Sequence, residues 1–142
     1  METVQQLLDK KGHEVWFVHP DDSVFDAIKK MADKNIGSLA VLLDDQIVGI
    51  ITERHYARNV ILEGKSSLET PVRDIMATRV VCARTDQTIE ECMAVMTKKR
   101  IRHLPVVEQK RLVGLVSIGD LVESTIADQK FTIEQLTHYI QG

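Results

Sequence analysis

The sequence predicts an α/β fold made of two β-α-β-β-α units related by a pseudo-twofold axis. Three observations carry this reading. Residues 23–56 and 88–121 align without a gap at a constant offset of 65, so that Met31, Lys34, Ile36, Leu39, Val41, Val48 and Gly49 recur as Met96, Lys99, Ile101, Leu104, Val106, Val113 and Gly114. The exchanges between copies are mild: Val24/Ile89, Ile47/Leu112, Ile50/Leu115, Ile51/Val116, and Thr52/Ser117, which keeps a hydroxyl. Within each copy a helix-period stretch is followed by two short apolar runs that do not alternate, the pattern of strands buried on both faces. A unit of this length present only twice is not a solenoid. Two half-domains with equivalent clefts point to a binding module.

The elements follow in order. Val4–Lys11 reads as a short amphipathic helix stopped by Gly12. Val15–Val18 is β-prone and ends at His19-Pro20-Asp21-Asp22. Ser23 is an N-cap, after which Val24, Ala27, Ile28 and Met31 recur at helical spacing until Asn35-Ile36-Gly37 closes the helix. Leu39–Leu43 and Ile47–Thr52 are strands joined by the turn Asp44-Asp45-Gln46. A helix runs from Thr52 to about Leu62, and Glu63–Pro71 is a linker. The second copy predicts a strand at Val80–Ala83, a helix at Thr88–Lys99, strands at Leu104–Val107 and Arg111–Val116, and a helix at Ser117–Ala127. A separate last helix, Ile133–Ile140, is expected after Thr132, with Ile133, Leu136 and Ile140 on one face.

Composition narrows the function classes. A chain of 142 residues can bury enough surface to fold without a metal or disulfide. The net charge of −3 argues against coating nucleic acid. The longest apolar runs, Leu39–Leu43 and Ile47–Ile51, fall far short of a bilayer span, and no basic-then-apolar signal opens the chain. A cytoplasmic location is expected, with no membrane contact. Cys82 and Cys92 form no CxxC pair, the five histidines are scattered, and no metal site is expected. Cys92 stands where the first copy has Ala27, which suits a small core residue. Trp16 fits the core better than a stacking platform. No G-x-S-x-G, P-loop or G-x-G-x-x-G is present, so no catalytic constellation is predicted.

The sharpest local motif is Ser117-x-x-Asp120 after an apolar strand. It is a capping box, in which the hydroxyl and the acid satisfy the first free N–H groups of the helix. The same geometry also suits a ligand, because a helix N-terminus favours phosphate and a carboxylate one turn in can accept from a ribose diol. The matching first-copy position is His55, after Thr52-Glu53-Arg54. Imidazole cannot chelate a diol as a carboxylate does. That cleft is therefore weak or empty, or else His55 with Arg54 and Arg58 takes phosphates and titrates near neutrality; an exposed helix residue is the plain alternative. Lys98-Lys99-Arg100-Ile101-Arg102-His103 is the one dense basic run. It reads as a solvated helix end or as phosphate capture by arginine, and the lack of interleaved aromatics disfavours nucleic acid.

The unit resembles the cystathionine-β-synthase (CBS) domain, and the chain resembles a stand-alone CBS pair. The resemblance rests on Ile101-Arg102-His103-Leu104-Pro105-Val106-Val107 and Val113-Gly114-Leu115-Val116-Ser117-Ile118-Gly119-Asp120-Leu121, with Ile36–Leu42 and Val48–His55 as first-copy counterparts. Val72-Arg73-Asp74-Ile75-Met76 matches the short helix that introduces such a unit. The resemblance implies an N-terminal helix at 1–14, a first unit at 15–64, a linker and introducing helix at 65–79, a second unit at 80–128 and a C-terminal helix at 129–142. The resemblance also implies that the two units pack through their sheets, and it implies an adenosyl ligand (AMP, ADP, ATP, NAD or S-adenosylmethionine) acting as a regulatory signal, with no catalytic cofactor. By family geometry the ribose and phosphate would meet Asp120, Ser117, Gly119, Arg102 and His103, and the adenine a wall of Asp22, Ala27, Ile36, Gly37 and Ser38. A second cleft would use Thr52, Arg54, His55, Arg58, Gln87, Cys92 and Ile101.

The expected function is a homodimeric module that senses an adenine nucleotide or NAD and regulates an unidentified effector protein. The alternative is a ligand-free dimeric scaffold that docks on an enzyme or transporter. A nucleotide hydrolase finds no support in the residues.

Overall fold

The computed structural model describes residues 2–141. Helix α1 spans Val4–Lys11, strand β1 Phe17–Val18, helix α2 Val24–Lys34, and strands β2 and β3 Ser38–Leu43 and Gln46–Thr52. Helix α3, Glu53–Tyr56, widens into a π-helix at Ala57–Ile61, and a 3-10 turn follows at Val72–Asp74. The second copy contributes α4 (Ile89–Lys99), β4 (His103–Glu108), β5 (Arg111–Ser117) and α5 (Ile118–Gln141).

The repetition extends to irregularities. The β2–β3 hairpin turns through Asp44 and Asp45, and the β4–β5 hairpin through Gln109 and Lys110, all four at positive φ. Two consecutive left-handed residues make the tight turn whose twist matches a hairpin. Each ladder slips at one place, Val41/Leu42 and Val106/Val107, which are equivalent positions. Both copy helices end on a left-handed residue, Asn35 and Arg100. The β2–β3 sheet gains β1 as a parallel third strand, and β3 meets β5 where the two sheets pack.

Each copy encloses its own apolar core. Leu39, Val41, Ile51, Val24, Ala27 and Met31 centre the first; Leu104, Val106, Val116, Ile89, Cys92 and Met96 centre the second. The segments that close these cores lie outside the 23–56 and 88–121 alignment. Val72 and Ile75 complete the first, whereas Val4, Leu7 and Leu8 of α1 complete the second. Their backbone bonds match one for one. Val72, Arg73 and Val24 N–H groups donate to Asp22, Pro20 and Thr70; Val4, Gln5 and Ile89 donate to Gln87, Thr85 and Glu2. α1 therefore stands to the second copy as Val72–Met76 stands to the first, so it is not an appendage outside the repeats.

Four element expectations are corrected. Val80–Ala83 is not a strand; only Ala83 bridges, its N–H donating to Pro105 O and its carbonyl accepting from Val107 N–H. The predicted strand at Val15–Val18 shortens to Phe17–Val18, and the part-buried Trp16 packs against the first core with Lys34 Nζ 4.0 Å from its ring centroid. The helix after Thr52 loses α geometry at Ala57, where Leu62 N–H reaches back to Ala57 O. Finally, α5 runs unbroken through the expected boundary near 129. Nothing between Leu121 and Gln141 is Gly or Pro, and Thr132 donates its hydroxyl to Asp128 O instead of capping a new helix.

Candidate functional site

The two helix starts that follow β3 and β5 are built alike. Thr52 Oγ1 accepts from His55 N–H at 3.1 Å, and Ser117 Oγ accepts from Asp120 N–H at 3.1 Å. The reciprocal bonds run from Thr52 N–H to His55 Nδ1, 3.2 Å, and from Ser117 N–H to Asp120 Oδ2, 2.9 Å. Both are capping boxes, with His55 playing the part normally taken by an acid or amide. Because its Nδ1 accepts a backbone N–H, His55 is the neutral tautomer carrying its proton on Nε2. Burial pushes its pKa below the ordinary value, and the Arg54 and Arg58 charges add to this. The positive charge here at neutral pH is therefore arginine charge.

On the Asp120 side, Lys11 Nζ lies 2.6 Å from Asp120 Oδ2 and 2.6 Å from Leu115 O. Burial pushes the Asp120 carboxyl up, but the bonds from Lys11 and from Ser117 N–H outweigh it and hold the carboxyl below its ordinary range. One expected ribose acceptor is thus already engaged by α1. His103 lies nearby; its own burial lowers its pKa, against the opposing pull of Asp120.

On the His55 side a cavity of about 580 Å³ opens between the copies, within the range of small-molecule sites. The first copy lends Gly37, Ile50, Thr52, Glu53, Arg54 and His55; the second lends Arg100, Ile101, Arg102, His103 and Pro105; the connecting segment adds Ala77, Arg79, Val80 and Val81. Four arginines and one carboxylate, Glu53, line it together with apolar residues. On a chain of net charge −3 that is a concentrated positive field, and its arginines suit a bidentate anion.

The cavity gathers Gly37, Thr52, Arg54, His55, Ile101, Arg102 and His103 from the two sets of residues singled out in the sequence. Asp22, Ala27, Ile36, Ser38, Arg58, Gln87, Cys92, Ser117, Gly119 and Asp120 are not among its lining. Ala27 and Cys92 are core residues, and burial pushes the Cys92 thiol up to about 11, with the charge of Glu91 adding to it. Gln87 Oε1 accepts from Arg84 N–H. A Cβ on Gly37 would sit 3.6 Å from Glu53 Oε1 and 3.7 Å from His103 Nε2. Val80 and Val81 escape sequence reasoning because their segment reads as a strand, and the failure of that segment to pair frees them to line the cavity; Arg79, just before it, carries no sequence signal. Arg100 belongs to the basic run, and its left-handed backbone turns it off the end of α4. Among the described residues no cluster of three His, Cys, Asp or Glu could hold a metal, and no helix is long and apolar enough to cross a membrane.

The CBS domain model matches this chain twice, over residues 8–61 and 72–126. The chain belongs to the CBS domain family. It is a CBS pair, similar to the mitochondrial CBS domain-containing protein CBSX3 of Arabidopsis thaliana, 36% identical over 99% of this chain and 72% of that protein. Among solved structures it resembles a putative signal-transduction protein with CBS domains from Burkholderia ambifaria, 50% identical with a TM-score of 0.86, covering 90% of this chain and 96% of that one. A CBS domain pair solved in complex with 5′-methylthioadenosine and S-adenosyl-L-methionine is 25% identical with a TM-score of 0.81, covering 90% of this chain and 98% of that one.

Proposed function

We propose that this CBS pair is a regulatory sensor of a phosphate-bearing adenosyl ligand (AMP, ADP, ATP or NAD), bound in the cavity between the units. One observation carries the reading: a cavity shared by both copies is lined by Arg54, Arg79, Arg100 and Arg102 together with the apolar residues Ile50, Val80, Val81 and Ile101. The apolar residues suit a purine face and the guanidinium groups suit phosphate. His55 Nε2–H adds a neutral donor. Arg100 supports the same reading, because it keeps a left-handed backbone (φ 54°) where the first copy uses the better suited Asn35. Adenosyl binding by a related CBS pair makes the ligand class concrete. Asp120, Ser117 and Gly119 form a second candidate site, at which a ribose would compete with Lys11 for the carboxylate.

In this reading the module is a homodimer in the cytoplasm, acts by altering an effector protein, and catalyses nothing itself. Its free cysteines, one of them exposed, suit a reducing compartment.

Calorimetric titration with AMP, ADP, ATP, NAD, S-adenosylmethionine and adenosine tests this. Phosphate-bearing ligands should bind and adenosine should bind worst. Arg54→Ala and Arg102→Ala should each weaken binding roughly ten- to a hundredfold, the loss of one charged hydrogen-bonding group. Asp120→Ala separates the clefts: if it alone abolishes binding, the ligand sits on the Asp120 side. No binding by any of the six ends the sensor reading.

A further inference from the structure

Asp128, Phe131 and Thr132 of α5 still border Glu2, Gln6 and Lys10, and beyond them the last turns of the helix leave the body of the molecule. Every residue from Ile126 to Ile140 is exposed. The side of α5 that meets the body is set by Leu121, which is fully buried, and by Ser124, whose hydroxyl donates to the Glu2 carboxylate. At 100° per residue another stripe runs roughly a third of a turn away from it. Val122, Ile126, Ile133, Leu136 and Ile140 on that stripe are 41, 57, 63, 58 and 81% exposed. With Gln129 they follow steps of four, three, four, three and four residues, the spacing of a coiled-coil seam. A helix that projects without packing gains little from propensity alone.

We infer that this seam is an interface between two copies of this chain, paired as a parallel two-stranded coiled coil. The sequence of the seam carries the choice of occupant. Ile126, Ile133 and Ile140 take one core position, and Val122, Gln129 and Leu136 the other; β-branched residues at the first with leucine at the second favour two parallel strands. Parallel and in register, Gln129 meets its own counterpart and the two amides bond to each other. Antiparallel pairing over the same length would bury Gln129 against Ile133, leaving an amide unsatisfied. Thr125, Lys130, Thr132 and Thr137, which flank the seam, oppose no like charges in the parallel register. Because Val122 and Ile126 begin the seam beside the second unit, the coiled coil would hold two second units side by side. This inference stands apart from the ligand reading and needs no ligand.

Sedimentation of the full chain without ligand tests it. The wild type should have the mass of two copies, and the double variant Ile133→Lys/Leu136→Lys that of one, with a dimer dissociation constant raised at least a hundredfold. Both positions are exposed, so the body should melt as before. In a Cys82→Ser background, Gln129→Cys should cross-link two copies on oxidation and Glu134→Cys, off the seam, should not. A single-copy wild type, a dimer that survives both lysines, or a Gln129→Cys variant that does not cross-link overturns the inference. Each of these leaves the nucleotide titration unaffected, so the two readings fail separately.

Discussion

The two copies share a backbone down to the position of a bulge, and equivalent segments complete them, yet those segments make different contacts. In the first, Gly49 faces Met76 and the backbone of Ala77, and Ile50 and Ala77 exchange both backbone hydrogen bonds. In the second, the atoms nearest the equivalent Gly114 belong to the Leu8 side chain of α1. In the first, the helix after the capping box ends within nine residues; in the second it continues for 24. Duplication therefore repeats hydrogen-bond geometry, while side chains that differ between the copies leave an open cavity on one side and tie the other down with Lys11.

That comparison can be broken by substitution, and the largest effect belongs to α1. Leu8→Ala should destabilise the protein by about 2–5 kcal/mol in chemical denaturation, as for a fully buried leucine. A loss below about 1 kcal/mol would show that α1 does not complete the second core. Next come the paired glycines. Gly49→Ala should cost about 1–3 kcal/mol, because its Cβ would lie 2.9 Å from Ala77 O, which is backbone. Gly114→Ala should cost less, since Leu8 can turn aside; equal losses would erase the distinction. Thr52→Ala and Ser117→Ala should each cost about 1 kcal/mol, alike in both copies. Arg100→Asn should raise stability by up to about 1 kcal/mol while weakening nucleotide binding, a split that a purely structural residue does not give. The smallest effect is on pH. His55 and His103 both have lowered pKa values, so the unfolded chain takes up protons first as pH falls. Stability should be full above about pH 6.5 and decline as pH drops below it toward the folded values. A flat melting temperature between pH 7.5 and 5.5 would contradict this, and His55→Gln should flatten part of the slope.

Much of the fold is legible in the sequence because local rules and packing agree there. Ser23, Thr52, Thr88 and Ser117 cap where their spacing says, and continuous apolar runs become buried strands. The capping box at Ser117-Asp120 is legible for the same reason. Its engagement by Lys11 is not, since 109 residues separate the partners and no local pattern encodes that contact. Val80 and Val81 mislead because a β-prone dipeptide looks the same whether it pairs with a neighbour or walls a cavity. The final helix misleads because Thr132 suits a cap, yet an uninterrupted chain of helix formers leaves its hydroxyl to bond back to Asp128.

The pairing of α1 with the second copy has a consequence for how the chain reaches this state. Thr3 bridges Thr88, and Lys11 bonds residues more than a hundred positions away. Such distant contacts carry a loop-closure cost before they return anything, and they slow folding. The second core cannot close until β5 and the start of α5 have been synthesised and have captured a helix made long before. The duplicated units should therefore fold as one cooperative body, with a single unfolding transition and no stable half.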